Sequence, residues 1–121
     1  MPGKRKRYLH DQELAVMSVV WLKGEASDAD IQKALSVVEG IDRTKIPEIV
    51  RDLVQRGVLT QREEDSSYVY APLLSRREVE EALLRDLRDS LFEGSSVRLV
   101  RALIDHGIIG KEELRAAARE I

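Results

Sequence analysis

Residues 44–62 read TKIPEIVRDLVQRGVLTQR, and residues 67–72, a few positions later, read SYVYAP. The first half of the longer stretch has the period of an amphipathic helix and stops at Gly57. Two β-patterned runs follow, at 58–61 and 68–71, with residues 63–67 as a polar turn between them. A helix followed by a small hairpin is typical of a recognition helix and its wing, so nucleic-acid reading is the first hypothesis.

Composition limits the class of protein. The chain has 121 residues, 43% of them apolar and 35% charged, which suits one compact domain or a small one with an extension. It contains no cysteine, so disulfides, thiolate metal sites and thiol catalysis are excluded. No run approaches the roughly 18 apolar residues of a membrane span, and the start lacks the apolar segment of a signal peptide. We expect a cytoplasmic protein with no membrane contact, cofactor or metal.

Net charge opposes a general attraction to DNA. Residues 1–72 carry 11 basic and 12 acidic side chains, and residues 73–121 carry 9 and 10. Any field that attracts phosphate must therefore be local. The basic arm Lys4, Arg5, Lys6 and Arg7 is the densest source of positive charge, and it is predicted to contact DNA beside the helix-turn-helix; a solubilising tail is the alternative.

Periodicity predicts six helices. The first covers residues 11–22, and the second follows a capping box of Ser27 and Asp30. Either Asp42 or Thr44 can cap the third. The fourth begins with a box of Ser75 and Glu78 and closes at Gly94. The fifth starts at Ser95 or Ser96 and breaks at Gly107, and the sixth starts at Lys111.

The third helix has two distinct faces. Its apolar side is predicted to consist of Ile46, Ile49, Val50, Leu53 and Val54. Arginine and glutamine suit bidentate contact with base edges, and basic side chains suit phosphates. The candidate DNA contacts outside the arm are therefore Arg43, Thr44, Lys45, Arg51, Gln55, Arg62 and Tyr68. A solvated helix with mixed charges is the alternative, which Glu48 and Asp52 support, and Arg56 is interpreted as a helix-end residue that complements the helix dipole.

The C-terminal helices need a partner surface. Three short helices in about fifty residues cannot bury all of their apolar faces, so we expect a second copy of the chain to cover them. The predicted dimer interface comprises Val79, Leu83, Leu87, Leu91, Phe92, Val100, Leu103, Ile104, Leu114 and Ala118. The predicted domains are a basic arm at 1–8, a winged helix at 9–73 and a helical dimerisation module at 74–121.

Five segments, in this order and spacing, carry a family resemblance: DQELAVMSVVW, SDADIQKAL, LVQRGVLTQR, YVYAPLLSRRE and LFEGS. The chain resembles the penicillinase-repressor (BlaI/MecI/CopY) family of bacterial winged-helix transcription regulators. The resemblance covers nearly all of the chain after residue 8. It implies a mainly α fold with a β-hairpin wing, an N-terminal domain that binds a double-stranded operator, and a homodimer formed by the C-terminal helices.

Departures from the family pattern are also informative. Family wings commonly carry glycine and basic residues, whereas this wing reads Glu63, Glu64 and Asp65. The copper-responsive branch has a C-terminal cysteine cluster that this chain lacks. In another branch a sensor protease cleaves the repressor in the penultimate helix, and the corresponding stretch here is Ala102 and Leu103. Whether a sensor protease is a partner of this chain is a question that the resemblance leaves open.

Catalysis has no support in the sequence. His10 and His106 are the only histidines and lie far apart in the chain, which makes a poor acid-base or metal site. His10 is predicted at a helix start, and the serines at 27, 75 and 95 are interpreted as caps. The functional alternative to a DNA-binding repressor is a winged-helix dimer that has lost DNA binding and serves protein interactions.

Overall fold

A computed structural model describes residues 9–121, and it contains six α-helices, a single turn of 3-10 helix and three strands. The helices are α1 (Asp11–Lys23), α2 (Asp28–Leu35), α3 (Ile46–Gln55), α4 (Arg76–Leu91), α5 (Ser96–Asp105) and α6 (Lys111–Arg119), and the 3-10 turn is Arg43–Lys45. The strands are β1 (Ala26–Ser27), β2 (Leu59–Glu64) and β3 (Ser67–Pro72). The predicted fold class, a winged helix-turn-helix with further C-terminal helices, is confirmed. Within residues 9–121, no helix combines the length and hydrophobicity that crossing a bilayer requires.

The strands form an antiparallel sheet in the order β1-β3-β2. The hairpin is longer than its predicted runs, because only Asp65 and Ser66 lie outside the strands and Glu63 and Glu64 belong to β2. Asp65 and Ser66 have φ values of 50° and 64°, and two consecutive left-handed residues allow the tightest hairpin loop. The predicted five-residue turn is therefore wrong. Strand β1 was missed because two residues are too few to show a period.

Helix α3 ends in a Schellman motif, which fixes the step from recognition helix to wing. Gly57 has a φ of 76°, its N–H donates to Val54 at 3.1 Å, and the Val58 N–H donates to Leu53 at 2.9 Å. Val58 and Leu53 are both fully buried in the same apolar cluster. A Schellman motif is often accompanied by an apolar contact between residues at these two positions. The predicted stop at Gly57 is confirmed.

Within the described residues, 9–83 form one compact unit with an aliphatic core. Val16, Met17, Ile31, Leu53, Val58 and Leu59 are among its fully buried side chains. Trp21 lies beside the start of α4, since its indole N–H donates to the Leu74 carbonyl at 2.9 Å and the Arg76 guanidinium lies 5.8 Å from the ring centre. The first turns of α4 thus pack with the winged helix.

This packing corrects one predicted interface residue. Val79 is 2% exposed and belongs to the core of the first unit, together with Leu74. Leu83 is half-buried against the same core. The first unit consequently ends at Leu83 and not near residue 73. Val79 offers no accessible surface to a second copy, because its apolar side chain completes the winged-helix core.

The second unit runs from Leu84 to Ile121. None of its residues, all of which the structure describes, is buried. Leu87, Leu91, Val97, Val100, Ile104 and Ile108 are exposed. An open apolar groove of about 380 Å³ on α5 is lined by Ser96, Val97, Val100, Arg101 and Ile104. A unit of three helices with no buried side chain lacks a core of its own.

Two predicted capping boxes are present. The Ser27 hydroxyl accepts from the Asp30 N–H at 3.1 Å, and the Asp30 carboxylate accepts from the Ser27 N–H at 3.0 Å. Hydrogen bonds from the backbone and side chain of Ser27 lower the pKa of Asp30. Ser75 and Glu78 form the same reciprocal pair at the start of α4. Helix boundaries that rest on a cap are thus accurately predicted.

Candidate nucleic-acid interface

The outward face of α3 is the candidate recognition surface. Ile46, Val50 and Leu53 are buried, and Ile49 and Val54 are half-buried, so the predicted apolar side faces the core. Thr44, Lys45, Glu48, Arg51, Asp52 and Gln55 are all exposed. The 3-10 turn and α3 together therefore display two acidic and two basic side chains, with Thr44 and Gln55, as one solvated face.

The chain enters α3 through the 3-10 turn Arg43–Lys45. The Asp42 carboxylate accepts from the Thr44 N–H at 3.0 Å and from its hydroxyl at 2.5 Å. These two hydrogen bonds lower the pKa of Asp42. Asp42 thus caps the 3-10 turn, and Thr44 lies inside that turn with its hydroxyl already bonded. Helix α3 has Lys45 at its N-cap position and no side-chain cap, so neither predicted residue caps the helix itself. Pro47 follows in the first turn of α3, where an amide is not needed.

Arg43, Lys45 and Arg51 carry the accessible positive charge of this face. Among residues 9–121, neither guanidinium forms a hydrogen bond or an ion pair. The Arg43 carbonyl accepts from the Gln32 side chain at 3.4 Å, which connects the turn to α2. Lys45 is exposed near Asp42, whose pKa its charge helps to lower. Within the described part of the chain, the guanidinium donors of Arg43 and Arg51 are thus available to an anion.

Arg56 has a structural role that the sequence analysis missed. Its NH1 lies 2.5 Å from Glu13 Oε2 on α1 and 3.1 Å from Asp52 Oδ2. Glu13 is 4% exposed, the one buried charged residue among those described, and it also accepts from the His10 N–H at 3.1 Å. His10 caps α1, as predicted. The Glu13–Arg56 pair fastens the end of the recognition helix to α1.

Arg62 lies on β2 between two carboxylates. Its guanidinium contacts Glu25 at 2.7 and 2.9 Å and Glu64 at 2.7 and 3.1 Å. Hydrogen bonds with Glu25, then Glu64, raise its pKa, and Arg62 in turn lowers the pKa of Glu25. The predicted DNA contact at Arg62 is thus occupied by anions of the protein itself.

The two wing tyrosines differ in exposure. Tyr68 is 42% exposed on β3, so its hydroxyl remains a candidate phosphate donor, whereas Tyr70 is 5% exposed and packs in the core. Burial raises the pKa of Tyr70 to about 12, helped by a hydrogen bond with Asp28 and opposed by the charge of Arg51.

We expect one tyrosine to titrate at about pH 12 when tyrosinate absorbance is followed, and Tyr70→Phe to remove that step. Asp28→Asn should move it toward the ordinary value, because one cause of the raised pKa is lost. The raised pKa stabilises the fold fully below the ordinary value of 10 and ceases to do so as pH rises toward about 12. A titration without a late step, or one that Tyr70→Phe leaves intact, would contradict this.

Sequence reasoning brought together only part of the site. Arg43, Thr44, Lys45, Arg51 and Gln55 lie on one exposed surface of the 3-10 turn and α3. Lys4 to Arg7 lie outside the described residues. Glu13 and Glu25 were missed because their arginine partners are 43 and 37 positions away. The position of Glu13 on the apolar side of α1 could have indicated a buried ion pair. No neighbouring residue in the sequence indicates that Glu25 pairs with an arginine.

A family model described as Penicillinase repressor matches residues 9–121. The chain belongs to the penicillinase repressor family. Among solved structures, it is similar to the solution structure of the DNA binding domain of the repressor BlaI, with 25% identity and a TM-score of 0.54. The match covers 60% of this chain and 88% of that one. No curated protein matches the chain. Because the penicillinase repressor family comprises transcriptional regulators, the prediction that the protein is not an enzyme is confirmed.

Proposed function

We propose that the protein is a DNA-binding transcriptional repressor that acts as a homodimer on a pseudo-palindromic operator in the bacterial cytoplasm. The observation that carries the proposal is the exposed face of α3 in a winged helix of the penicillinase repressor family. The similar BlaI domain is itself described as DNA binding. An α-helix fits the major groove of B-form DNA, so α3 can present its outward side chains to base edges.

Side-chain chemistry divides the roles on this face. Arg51 and Gln55 lie one turn apart on α3 and are exposed, so they are proposed as the base-reading residues. Arg43 and Lys45 precede the helix and are proposed to contact phosphates, as are the arm residues 4–7. The Glu48 carboxylate would be repelled by the phosphate backbone of DNA unless it accepts a hydrogen bond from a cytosine amino group. The operator is therefore expected to contain a cytosine opposite Glu48.

The second unit supports the homodimer. Between Leu84 and Ile121 the side chains of Leu87, Leu91, Val97, Val100 and Ile104 are exposed, and no residue is fully buried. If the same surface of a second copy covered these side chains, the second unit of each protomer would gain the apolar core that it lacks alone. A two-fold dimer places two recognition helices on half-sites about one turn of DNA apart, or a multiple of it. Release by a sensor protease that cuts α5 near Ala102 and Leu103 belongs to the same proposal.

Mobility-shift assays on fragments of the chain's own upstream region test the proposal. We expect the dimer to retain a fragment at low salt, and Arg51→Ala to weaken binding by about 1–3 kcal/mol because a base contact is lost. Lys45→Ala should weaken binding to all sequences similarly and reduce the salt slope by about 1. Arg77→Ala, the same charge change at an exposed position on α4, serves as the control.

The alternative function is a protein-interaction module. The specific observation in its favour is the acidity of the wing, where Glu63, Glu64 and Asp65 outnumber the single basic residue Arg62. A folded dimer that retains no upstream fragment at low salt would favour this alternative. Equal affinities for the wild type, Arg51→Ala and Arg77→Ala would do the same, because no reading contact would then exist.

A further inference from the structure

The wing contains a complete ion-pair cluster of Glu25, Arg62 and Glu64, which we name the wing cluster. Glu25 precedes β1, and Arg62 and Glu64 lie on β2, the strand at the other edge of the sheet. Arg62 is in register with Val69 of the central strand, and Ser27 is in register with that same residue. The Arg62 side chain therefore reaches across β3 on the face opposite to the buried Tyr70.

Most of the N–H donors of Arg62 are already engaged in hydrogen bonds. A guanidinium has five N–H donors; NH1 and NH2 donate to the two Glu25 oxygens, and Nε and NH2 donate to Glu64 Oε2. Four of the five donors are thus engaged. An external anion can gain a two-point contact with Arg62 only by displacing one of the carboxylates.

Displacement is physically accessible because the wing cluster is open to solvent. The side chains of Arg62, Glu25 and Glu64 are 48%, 51% and 52% exposed. Exposed ion pairs contribute little to stability, at most about 1 kcal/mol, and guanidinium binds phosphate in the same forked geometry as carboxylate. Arg62 is also the sole basic residue of β2 and β3. It is the only side chain through which these strands can attract a phosphate by charge.

We propose that the wing cluster is a carboxylate-phosphate exchange site, in which a DNA phosphate replaces Glu25 on the Arg62 guanidinium while Glu25 and Glu64 limit the affinity of the wing for DNA. This inference rests on the proposed DNA-binding function and specifies how its wing takes part. Glu25 is the carboxylate that leaves, because it comes from a different element, whereas Glu64 is only two residues from Arg62 on the same strand. The acids thus regulate a contact that the arginine makes.

The test compares neutral, nearly isosteric variants. Glu25→Gln and the double variant Glu25→Gln with Glu64→Gln remove the competing charge and keep the side-chain size. Because the carboxylates limit the wild-type contact with phosphate, removing them adds up to one full phosphate contact, about 0.9 in the salt slope. The loss of affinity between about 50 and 200 mM salt should therefore be up to about threefold larger for the double variant than for the wild type. Affinity for the retained upstream fragment should rise at the lowest salt. Circular dichroism verifies that each variant is folded.

Two controls separate exchange from a general field effect. Glu63→Gln makes the same charge change one residue away, on the opposite face of β2 and without a bond to Arg62, so it should leave the salt slope unchanged. In an Arg62→Ala background, Glu25→Gln should also have no effect on the slope. Both results support exchange, because they show that removing a carboxylate changes the salt slope only when that carboxylate is paired with Arg62.

Other outcomes overturn the inference. Weaker binding by Glu25→Gln would show that the wing cluster only braces the sheet, and an equal gain in the Arg62→Ala background would show a field effect. If the wild type binds DNA and all variants have the same salt slope, the exchange site is overturned but the proposed function is not. Loss of all binding, in the wild type as well, overturns the proposed function itself, so the two failures are distinguishable.

Discussion

Replacing Val100 and Ile104 together by aspartate is expected to yield a monomer whose affinity for a two-half-site operator falls by about 10²–10⁴-fold. Both side chains line the exposed groove of α5 and are 41% and 37% accessible within one protomer. A carboxylate there can remain hydrated in the monomer but would be buried unpaired in a dimer. The monomer must then bind each half-site separately and loses the effective concentration that a linked second site provides.

Sedimentation equilibrium and a shift assay measure the two parts of this prediction. Ala116→Asp is the control for each substitution made singly, since it adds one carboxylate, half the charge of the double variant, at an exposed position of α6 away from Leu114 and Ala118. Persistence of the dimer in the double variant would show that α5 is not the interface. A truncation that isolates the winged helix should cut after Leu83, because Leu74 and Val79 complete its core.

The fold was predictable wherever local patterns determine structure. The capping boxes at Ser27 and Ser75 each join two residues that are three positions apart in the chain. The end of α3 depends on one left-handed residue, Gly57. Such features are encoded in adjacent side chains, so a sequence displays them directly. The recognition face of α3 followed from the same logic, since burial of one side of an amphipathic helix leaves the other side exposed.

Errors arose where distant segments meet. Val79 has the apolar spacing of an interface residue, yet it is buried because α4 continues to pack beside Trp21. The Arg62 contact with DNA stays a prediction, but its carboxylate partner could not be predicted from sequence, because the sheet order places Glu25 across the central strand from it. A pattern specifies which residues are apolar or charged, but only the tertiary arrangement selects their partners. The interface residues from Leu87 onward and the DNA contacts stay predictions.

Glu13→Ala is expected to lower the free energy of unfolding by about 2–4 kcal/mol, because it leaves the Arg56 charge partly buried without its closest carboxylate. The Glu13 side chain is 6% exposed and the Arg56 side chain 24%. Glu13 also accepts from the His10 N–H at the start of α1, so the variant loses a cap at the same time. Urea unfolding followed by circular dichroism measures the change. The orientation of α3 should loosen with it, since Arg56 follows the last residue of that helix.

Asp52→Asn provides the control, because it removes a second carboxylate partner of the same arginine. Asp52 is 51% exposed, and exposed pairs contribute about 0–1 kcal/mol; its loss should therefore be small. Glu13→Gln keeps an acceptor for His10 and removes only the charge, so its cost should fall between the other two. Equal costs for Glu13→Ala and Asp52→Asn would mean that burial does not strengthen the Glu13 pair and that α3 is held by its apolar face alone. A large difference between them, with DNA binding weakened only in the Glu13 variants, would assign Glu13 the role of positioning the recognition helix.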